Sequence, residues 1–399
     1  MQNPTPDFPQ YKIDLLKSID YAEAPNLAFI IQTDLLEENC QLLHSIQEAT
    51  GAKILLAQKG FACYGTYPLI KKYLHGTTSS GLHEALLARD YFGKEIHVYA
   101  PAFQESDIRE VTKFSHSLIV NSIQQLKLAQ RLGHKNSQLG LRINPESPTG
   151  SVDLYNPCAK DSRLGVTKAE LEAHIRKEGS AFLEHLSGLH FHTLCEEDAD
   201  ALEKTATVFE KAFGAYLKHI KWLNLGGGHH ITRPGYNLKL LKDILLHFKQ
   251  TYDLDVYLEP GEAVALQTGV LNAQILDILT KGSKQIAILN CSATCHMPDV
   301  LEMPYRPKVL EAGTPNEKKH TYQLAGPSCL AGDIIGDYSF DRLLQIGDSI
   351  QFLDMSHYTM VKTTTFNGVP LPAICLHSKK DGLKIIKEFS YQDYKNRLS

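Results

Sequence analysis

The chain has 399 residues, 43% hydrophobic and 22% charged. These are ordinary globular values, which exclude a disordered chain, a fibre or a small disulfide-stapled scaffold and leave room for more than one domain. Lysine and arginine (41) nearly balance aspartate and glutamate (45), so there is no broad basic face to neutralise a nucleic-acid backbone.

In chain order, the polar, proline-bearing start MQNPTPDFPQYKIDLLK lacks the pattern of a secretion signal. An apolar run, LAFII (27–31), precedes a helical pattern over 33–50. Between about residues 53 and 260 come eight short runs rich in β-branched residues: KILLAQ (53–58), TTS (77–79), HVY (97–99), LIVN (118–121), LGLRIN (139–144), GLHFH (188–192), WLNL (222–225) and VYLE (256–259). Helical patterns lie between them, at 68–74, 81–92, 123–132, 200–220 and 237–250, the last two with apolar residues every three or four positions. Strands alternating with helices pair in parallel. Eight such units match an α/β (β/α)8 TIM barrel, although an open doubly wound sheet would show similar alternation. The helix over 33–50 would cover the bottom or rim of that barrel. An irregular loop spans 145–163. After residue 265, VLNAQILDIL (270–279), QIAILN (285–290), TYQLAG (321–326), SIQFLDM (349–355) and PAICLH (372–377) are separated by turn-rich stretches, as in an antiparallel β domain. The expected division is a barrel over 25–265 and a β domain over 266–399 joined by residues 1–24. Apolar runs such as IAIL (286–289) are far shorter than the roughly 20 residues of a membrane span. The eight cysteines form no CxxC pair, which suits free thiols in a reducing compartment, so the cytoplasm is the expected location.

Barrel active sites gather at the C-terminal ends of the strands. Lys59 follows ILLAQ, Arg142 lies within LGLRIN, His192 closes GLHFH, Gly226-Gly227-Gly228 follow WLNL, and Glu259 closes VYLE. A lysine at the end of an apolar strand is partly desolvated, which favours the neutral, nucleophilic amine; the alternative is a lysine reaching the rim. A triple glycine allows backbone N–H groups to approach an anion, but also suits a tight turn. A carboxylate such as Glu259 can pair with a protonated heterocycle, and an imidazole can stack on it. Together these groups describe a pyridoxal phosphate site. The competing reading takes His190, His192, His229 and His230 as metal ligands in a barrel hydrolase; it leaves Lys59, the glycines and Glu259 unexplained, and no metal is expected.

AQKG (57–60), LHFHTLC (189–195), NLGGGHH (224–230), LEPGEA (258–263), GPSCLAGD (326–333) and DMSHYTM (354–360) resemble the signature blocks of the alanine racemase-like, fold type III pyridoxal phosphate decarboxylases, which include the ornithine, arginine and diaminopimelate enzymes. LRINPE (141–146), DLYNPCAKDSRLGV (153–166), SATCHMPDVLEMPYRP (292–307) and HYTMVKTTTFNG (357–368) resemble the carboxynorspermidine/carboxyspermidine branch of that family. The resemblance covers nearly the whole chain from about residue 25. It implies that Lys59 binds pyridoxal phosphate covalently, His192 stacks on its ring, Glu259 pairs with the ring nitrogen, Gly227 and Gly228 cradle the phosphate, and Arg142 and Tyr358 complete the cofactor set. It also implies that Cys329 enters the site of a second subunit, making the active unit a homodimer, and that Cys329 or Lys59 protonates the product.

Two departures matter. Where ornithine decarboxylase-like members read EPGR this chain has Glu262, and the acidic residue they carry after the GPxC cysteine is Leu330 here. A polyamine-like amino-acid substrate needs carboxylates along its cationic tail. Glu262 and Asp299 are the candidates, with Asp333 as a third. A diaminopimelate substrate would instead call for a basic residue near CHMPDVLEM.

Overall fold

The computed structural model describes residues 7–134, 136–149 and 156–399; part of the 145–163 loop lies outside them. It divides into two units, Asn39–Val264 and, separately, Ala265–Ser399 together with the chain up to Glu38.

The first unit is a closed parallel barrel. Its strands are β1 (Lys53–Ala57), β2 (Gly76–Ser79), β3 (Glu95–Tyr99), β4 (Ser117–Val120), β5 (Gln138–Asn144), β6 (Leu186–His190), β7 (Trp222–Asn224) and β8 (Asp255–Leu258). Every neighbouring pair is parallel, and Tyr257 and Leu258 of β8 pair with Lys53 and Ile54 of β1 to close the ring, which removes the open-sheet alternative. The barrel interior is filled by Leu55, Ile119, Trp222 and Tyr257. Room for the indole comes from two glycines: a β-carbon on Gly140 or Gly188 would lie 2.4 or 2.0 Å from the Trp222 ring.

The outer helices follow the apolar periodicity. Ala199–Leu217 buries Leu202, Ala206, Phe209 and Phe213, and Leu238–Tyr252 buries Leu241, Ile244, Leu245 and Phe248. They meet through Phe209 and Phe248, ring centroids 6.0 Å apart. Asn237 caps the second helix by accepting from Leu240 N. The patterns at 68–74 and 81–92 form less helix than expected. The former shrinks to Tyr67–Ile70, and the latter passes from Leu82–Leu87 into a π turn that ends at Gly93, φ 71°. In the helix Thr33–Thr50, Gln47 Oε1 accepts from Ile54 N, at the N-terminal end of β1.

The second unit is a mostly antiparallel eight-stranded sheet with the order Ile334–Phe340, His320–Ala325, Lys284–Leu289, Gly269–Lys281, Ala28–Gln32, Ala373–Ser378 and Gly382–Lys387; Ser349–Leu353 also pairs with Gly269–Lys281. Two pairings are parallel, Ala28–Gln32 with Ala373–Ser378 and Lys284–Leu289 with His320–Ala325. Its core includes Phe29, Leu271, Ile275, Tyr322, Phe340 and Phe352. Among the described residues no helix is long and apolar enough to cross a membrane.

Candidate active site

The C-terminal end of the barrel brings Lys59, Arg142, His192, Glu259 and the glycine turn together. Lys59 follows β1 in a turn held by Gln58, whose side chain accepts from Ser79 Oγ (2.7 Å) and donates to Tyr67 Oη (2.9 Å). Lys59 Nζ lies 3.3 Å from His192 Nε2, and His192 Nδ1 accepts from Gly227 N at 3.0 Å. That second bond decides the first. With Nδ1 occupied as an acceptor, the neutral ring carries its proton on Nε2, and Nζ must then accept, which only an uncharged amine can do. The electrostatics agree: burial and then the Arg142 charge lower the Lys59 pKa, outweighing Glu259, Cys195 and Glu84. Burial, then Lys59 and Arg142, hold His192 well below its usual value. Lys59 is exposed to solvent yet surrounded by protein atoms, and that surrounding together with the Arg142 charge shifts its amine towards the neutral form.

Glu259 lies just past β8. Its Oε1 accepts from Asn224 Nδ2 at 2.7 Å, and its Oε2 is 3.2 Å from His190 Nε2. Burial pushes its pKa up, but His190, His97 and Asn224 together pull it down to about 2, so it is an ionised carboxylate. His190, itself buried, is driven towards the neutral form and donates Nε2–H. Asn224 also accepts from Gly226 N at 2.8 Å, joining Glu259 to the glycine turn. That turn requires glycine: a β-carbon at Gly226, Gly227 or Gly228 would lie 2.5, 2.1 or 2.0 Å from the carbonyl oxygen of Phe191, Glu259 or Leu194, and Gly226 and Gly228 have φ of 73° and 84°. Arg142 is buried, donates to His192 O at 2.9 Å and lies 4.8 Å from the Tyr99 ring centre. His190 and His192 thus have different partners, and among the described residues no group of three or more His, Cys, Asp or Glu is placed to hold a metal ion.

The expected substrate carboxylates are already engaged. Glu262 pairs with His230 Nε2 at 3.3 Å. In the second unit, Asp299 is bridged to Lys362, which also bonds Glu302 at 2.8 Å. Burial lowers the Lys362 pKa, but the two carboxylates outweigh it and raise it. The basic residue that the CHMPDVLEM segment lacks in sequence is therefore supplied from 60 residues or more downstream. Asp333, 3% exposed, accepts from Ser292 Oγ (2.8 Å), Ser328 N and Thr294 N (both 3.3 Å), and so ties its own loop to the start of the Ala293–His296 helix. Cys329 is exposed, and its N–H donates to Asn367 Oδ1 at 2.8 Å. Tyr358 has φ 38°, a left-handed conformation that costs a non-glycine residue of order 1–3 kcal/mol and is concentrated at ligand sites. Residues not singled out from the sequence are Asn224, which stands visibly before the glycines in NLGGG, and Glu84, whose pKa is raised by burial and which acts electrostatically on Lys59.

Residues 78–266 match the model of the pyridoxal-dependent decarboxylase pyridoxal-binding domain. A carboxynorspermidine/carboxyspermidine decarboxylase of Campylobacter jejuni is 47% identical over 388 residues, covering 94% of this chain and 99% of that one. A carboxyaminopropylagmatine decarboxylase of Synechocystis is 41% identical, covering 97% and 99%. The crystal structure of the Campylobacter jejuni carboxynorspermidine decarboxylase complexed with norspermidine superimposes with a TM-score of 0.85 at 45% identity, covering 93% of this chain and 99% of that one.

Proposed function

This chain belongs to the pyridoxal-dependent decarboxylases, and we propose that within that family it removes the carboxylate from carboxynorspermidine and carboxyspermidine, releasing norspermidine and spermidine. The observation that carries the reading is one barrel end that sets a lysine amine 3.3 Å from an imidazole oriented by the glycine turn and, with them, a buried carboxylate held by His190 and Asn224.

The residues fit pyridoxal phosphate. Lys59 offers an uncharged amine, Glu259 an anion for a protonated ring nitrogen, and His192 a flat imidazole beside Lys59. When bound, the cofactor supplies a pyridinium ring that accepts the electrons left on the substrate α-carbon. Lys59 would hold it covalently, and Glu259 would keep its nitrogen protonated. Gly228 and Tyr358 would face the phosphate, since the Gly227 N–H is committed to His192. Arg142 acts through the His192 carbonyl, fixing where the imidazole stands. Cys329 Sγ, or Lys59 Nζ once it has taken up a proton from the incoming substrate ammonium, would deliver the proton that replaces the departing carboxylate.

Cys329 acts in trans in this reading. It is exposed, followed by Leu330 (45% exposed), and bonded to Asn367 beside Phe366 (45% exposed). Apolar exposure of this kind is what a second copy covers, and the active unit is a homodimer. The substrate tail carries ammonium groups, for which Glu262 is the barrel's candidate; Asp299 takes part by exchanging Lys362 for a substrate amine. Asp333 shapes the loop around Cys329.

The test is an absorption spectrum of the purified protein, then carbon dioxide release from carboxynorspermidine, carboxyspermidine and carboxyaminopropylagmatine. The expected result is a bound-cofactor band that Lys59→Ala abolishes and turnover of the first two substrates, which differ by one methylene and so separate by only about 1–3 kcal/mol. Protein that takes up no pyridoxal phosphate, or takes it up and turns over neither compound, refutes the assignment.

A further inference from the structure

Glu259 reaches its partners from an environment that leaves it little freedom. The carboxylate is 8% exposed, Asn224 is fully buried and His190 is 1% exposed. A carboxylate has about four lone-pair positions on its two oxygens; Asn224 Nδ2 takes one on Oε1 and His190 Nε2–H one on Oε2. The group is therefore pinned at both oxygens, with acceptor capacity remaining. The two partners come from neighbouring strands, His190 ending β6 and Asn224 ending β7, and they are directly paired in register. The donor pair is thus set by the barrel's hydrogen-bond ladder rather than by a flexible loop.

Asn224 has a second task. Its amide oxygen accepts from Gly226 N at 2.8 Å while its amide nitrogen donates to Glu259. Only a side chain that is donor and acceptor at once can do both. One residue thereby ties the carboxylate to the glycine turn, whose Gly227 N–H in turn orients His192 against Lys59. His190 is also specialised. Its Nδ1 is buried and has no hydrogen-bond partner among the described residues, so the imidazole's hydrogen bond is the one its Nε2–H makes to Glu259. Tyr99, ring centroid 5.5 Å away, packs against it and limits its rotation.

We propose that His190 and Asn224 are positioning residues that hold the Glu259 carboxylate in place and ionised for the cofactor's ring nitrogen, with Asn224 coupling that carboxylate to the turn that orients His192. The proposal rests on the pyridoxal phosphate reading of this site. It separates the first histidine of HFH, which serves Glu259, from the second, which serves Lys59.

The experiment compares full-length wild type with His190→Leu, His190→Gln and Asn224→Asp. The readouts are cofactor affinity by titration of the cofactor-free protein, the absorption of the Lys59-bound cofactor, and kcat and KM separately. Leucine removes the donor, glutamine restores an N–H donor, and aspartate keeps the acceptor for Gly226 while replacing the donor to Glu259 with a second carboxylate. Loss of such a partner to an anchoring group typically costs about 10–100-fold. His190→Leu and Asn224→Asp are expected to lose that much in kcat with KM little changed, and to bind the cofactor more weakly with an altered absorption band; His190→Gln is expected to recover most of the loss. Equal impairment of His190→Leu and His190→Gln in proteins that melt like wild type would overturn the role of His190, because packing alone would then explain it. Wild-type kcat and spectrum in both His190→Leu and Asn224→Asp would overturn the whole proposal. If His190→Leu fails to fold, Asn224→Asp decides the outcome. A wild type that binds pyridoxal phosphate but releases no carbon dioxide would sink the substrate reading while leaving the affinity and absorption comparisons valid.

Discussion

The substitution Gly188→Ala tests how the barrel interior sets the geometry of its catalytic end. Gly188 on β6 is paired with Trp222 on β7, and an added β-carbon would lie 2.0, 2.1 and 2.3 Å from three indole carbons. Favourable carbon contacts begin near about 3.5 Å, so the indole or its strand must move by about 1.5 Å. The ring has little room to do so, because Gly140 on the next strand is itself cut back for the indole and Trp222 is 2% exposed. Overpacking of this kind costs about 1–3 kcal/mol, against a gain of about 0.4–1 kcal/mol from the lower chain entropy of unfolded alanine relative to glycine. With three atoms inside contact distance the steric cost wins, and the net loss should be about 2 kcal/mol. For a unit of this size that lowers Tm by about 4–8 °C. Trp222 is the chain's single tryptophan, so its fluorescence reports both the unfolding transition and the ring's displacement. Because Asn224 lies two residues along the same strand, cofactor affinity should fall with stability. Gly188→Ala combined with Trp222→Phe should recover part of the loss, with a coupling of about 0.5–3 kcal/mol. A Gly188→Ala protein with wild-type Tm and unchanged emission would refute the argument.

Replacing Glu259 by glutamine removes the anion and should lower kcat by about 100-fold or more, measured as carbon dioxide release at saturating cofactor. Because the Glu259 pKa is depressed to about 2 in the folded protein, its stabilising contribution is fully present above the unfolded value near 4.5 and is lost as pH falls through the folded one; the stability gap between wild type and Glu259→Gln in urea should therefore close between about pH 4.5 and pH 2. Asp333→Asn should cost about 1–3 kcal/mol, because the new amide turns a donor towards groups that are themselves donors. Melting of this variant at the wild-type temperature would show that those bonds are dispensable. Lys362→Met leaves Asp299 without its cation and should raise affinity for substrates with an ammonium tail, read as a lower KM with kcat maintained; a raised KM would mean that the lysine serves the substrate instead.

The order of barrel strands and the two long helices could be read from the sequence because both signals are local: β-branched runs, and apolar residues such as Leu202, Ala206, Phe209 and Phe213 repeating along one helix face. Lys59, His192 and Glu259 were legible because strand ends are where barrels expose chemistry. The edge strands Ile334–Phe340 and Gly382–Lys387 leave little local trace, since Gly336 and Asp337 interrupt the first and the second, GLKIIK, is largely exposed. The strand Ala28–Gln32, far away in sequence, joins the second unit through partners near residues 270 and 375 that no local window contains. The same limit applies to charge. Asp299 and Asp333 are unmistakably acidic in sequence, but whether a carboxylate faces a substrate, a lysine or a ring of backbone donors depends on what the folded chain brings to it. Lys362 from 63 residues away and Ser292 from 41 made that decision for these two. Residue types and their spacing determined the fold and the reaction class; long-range hydrogen bonds, which exist only after folding, decided which of those residues are free to act.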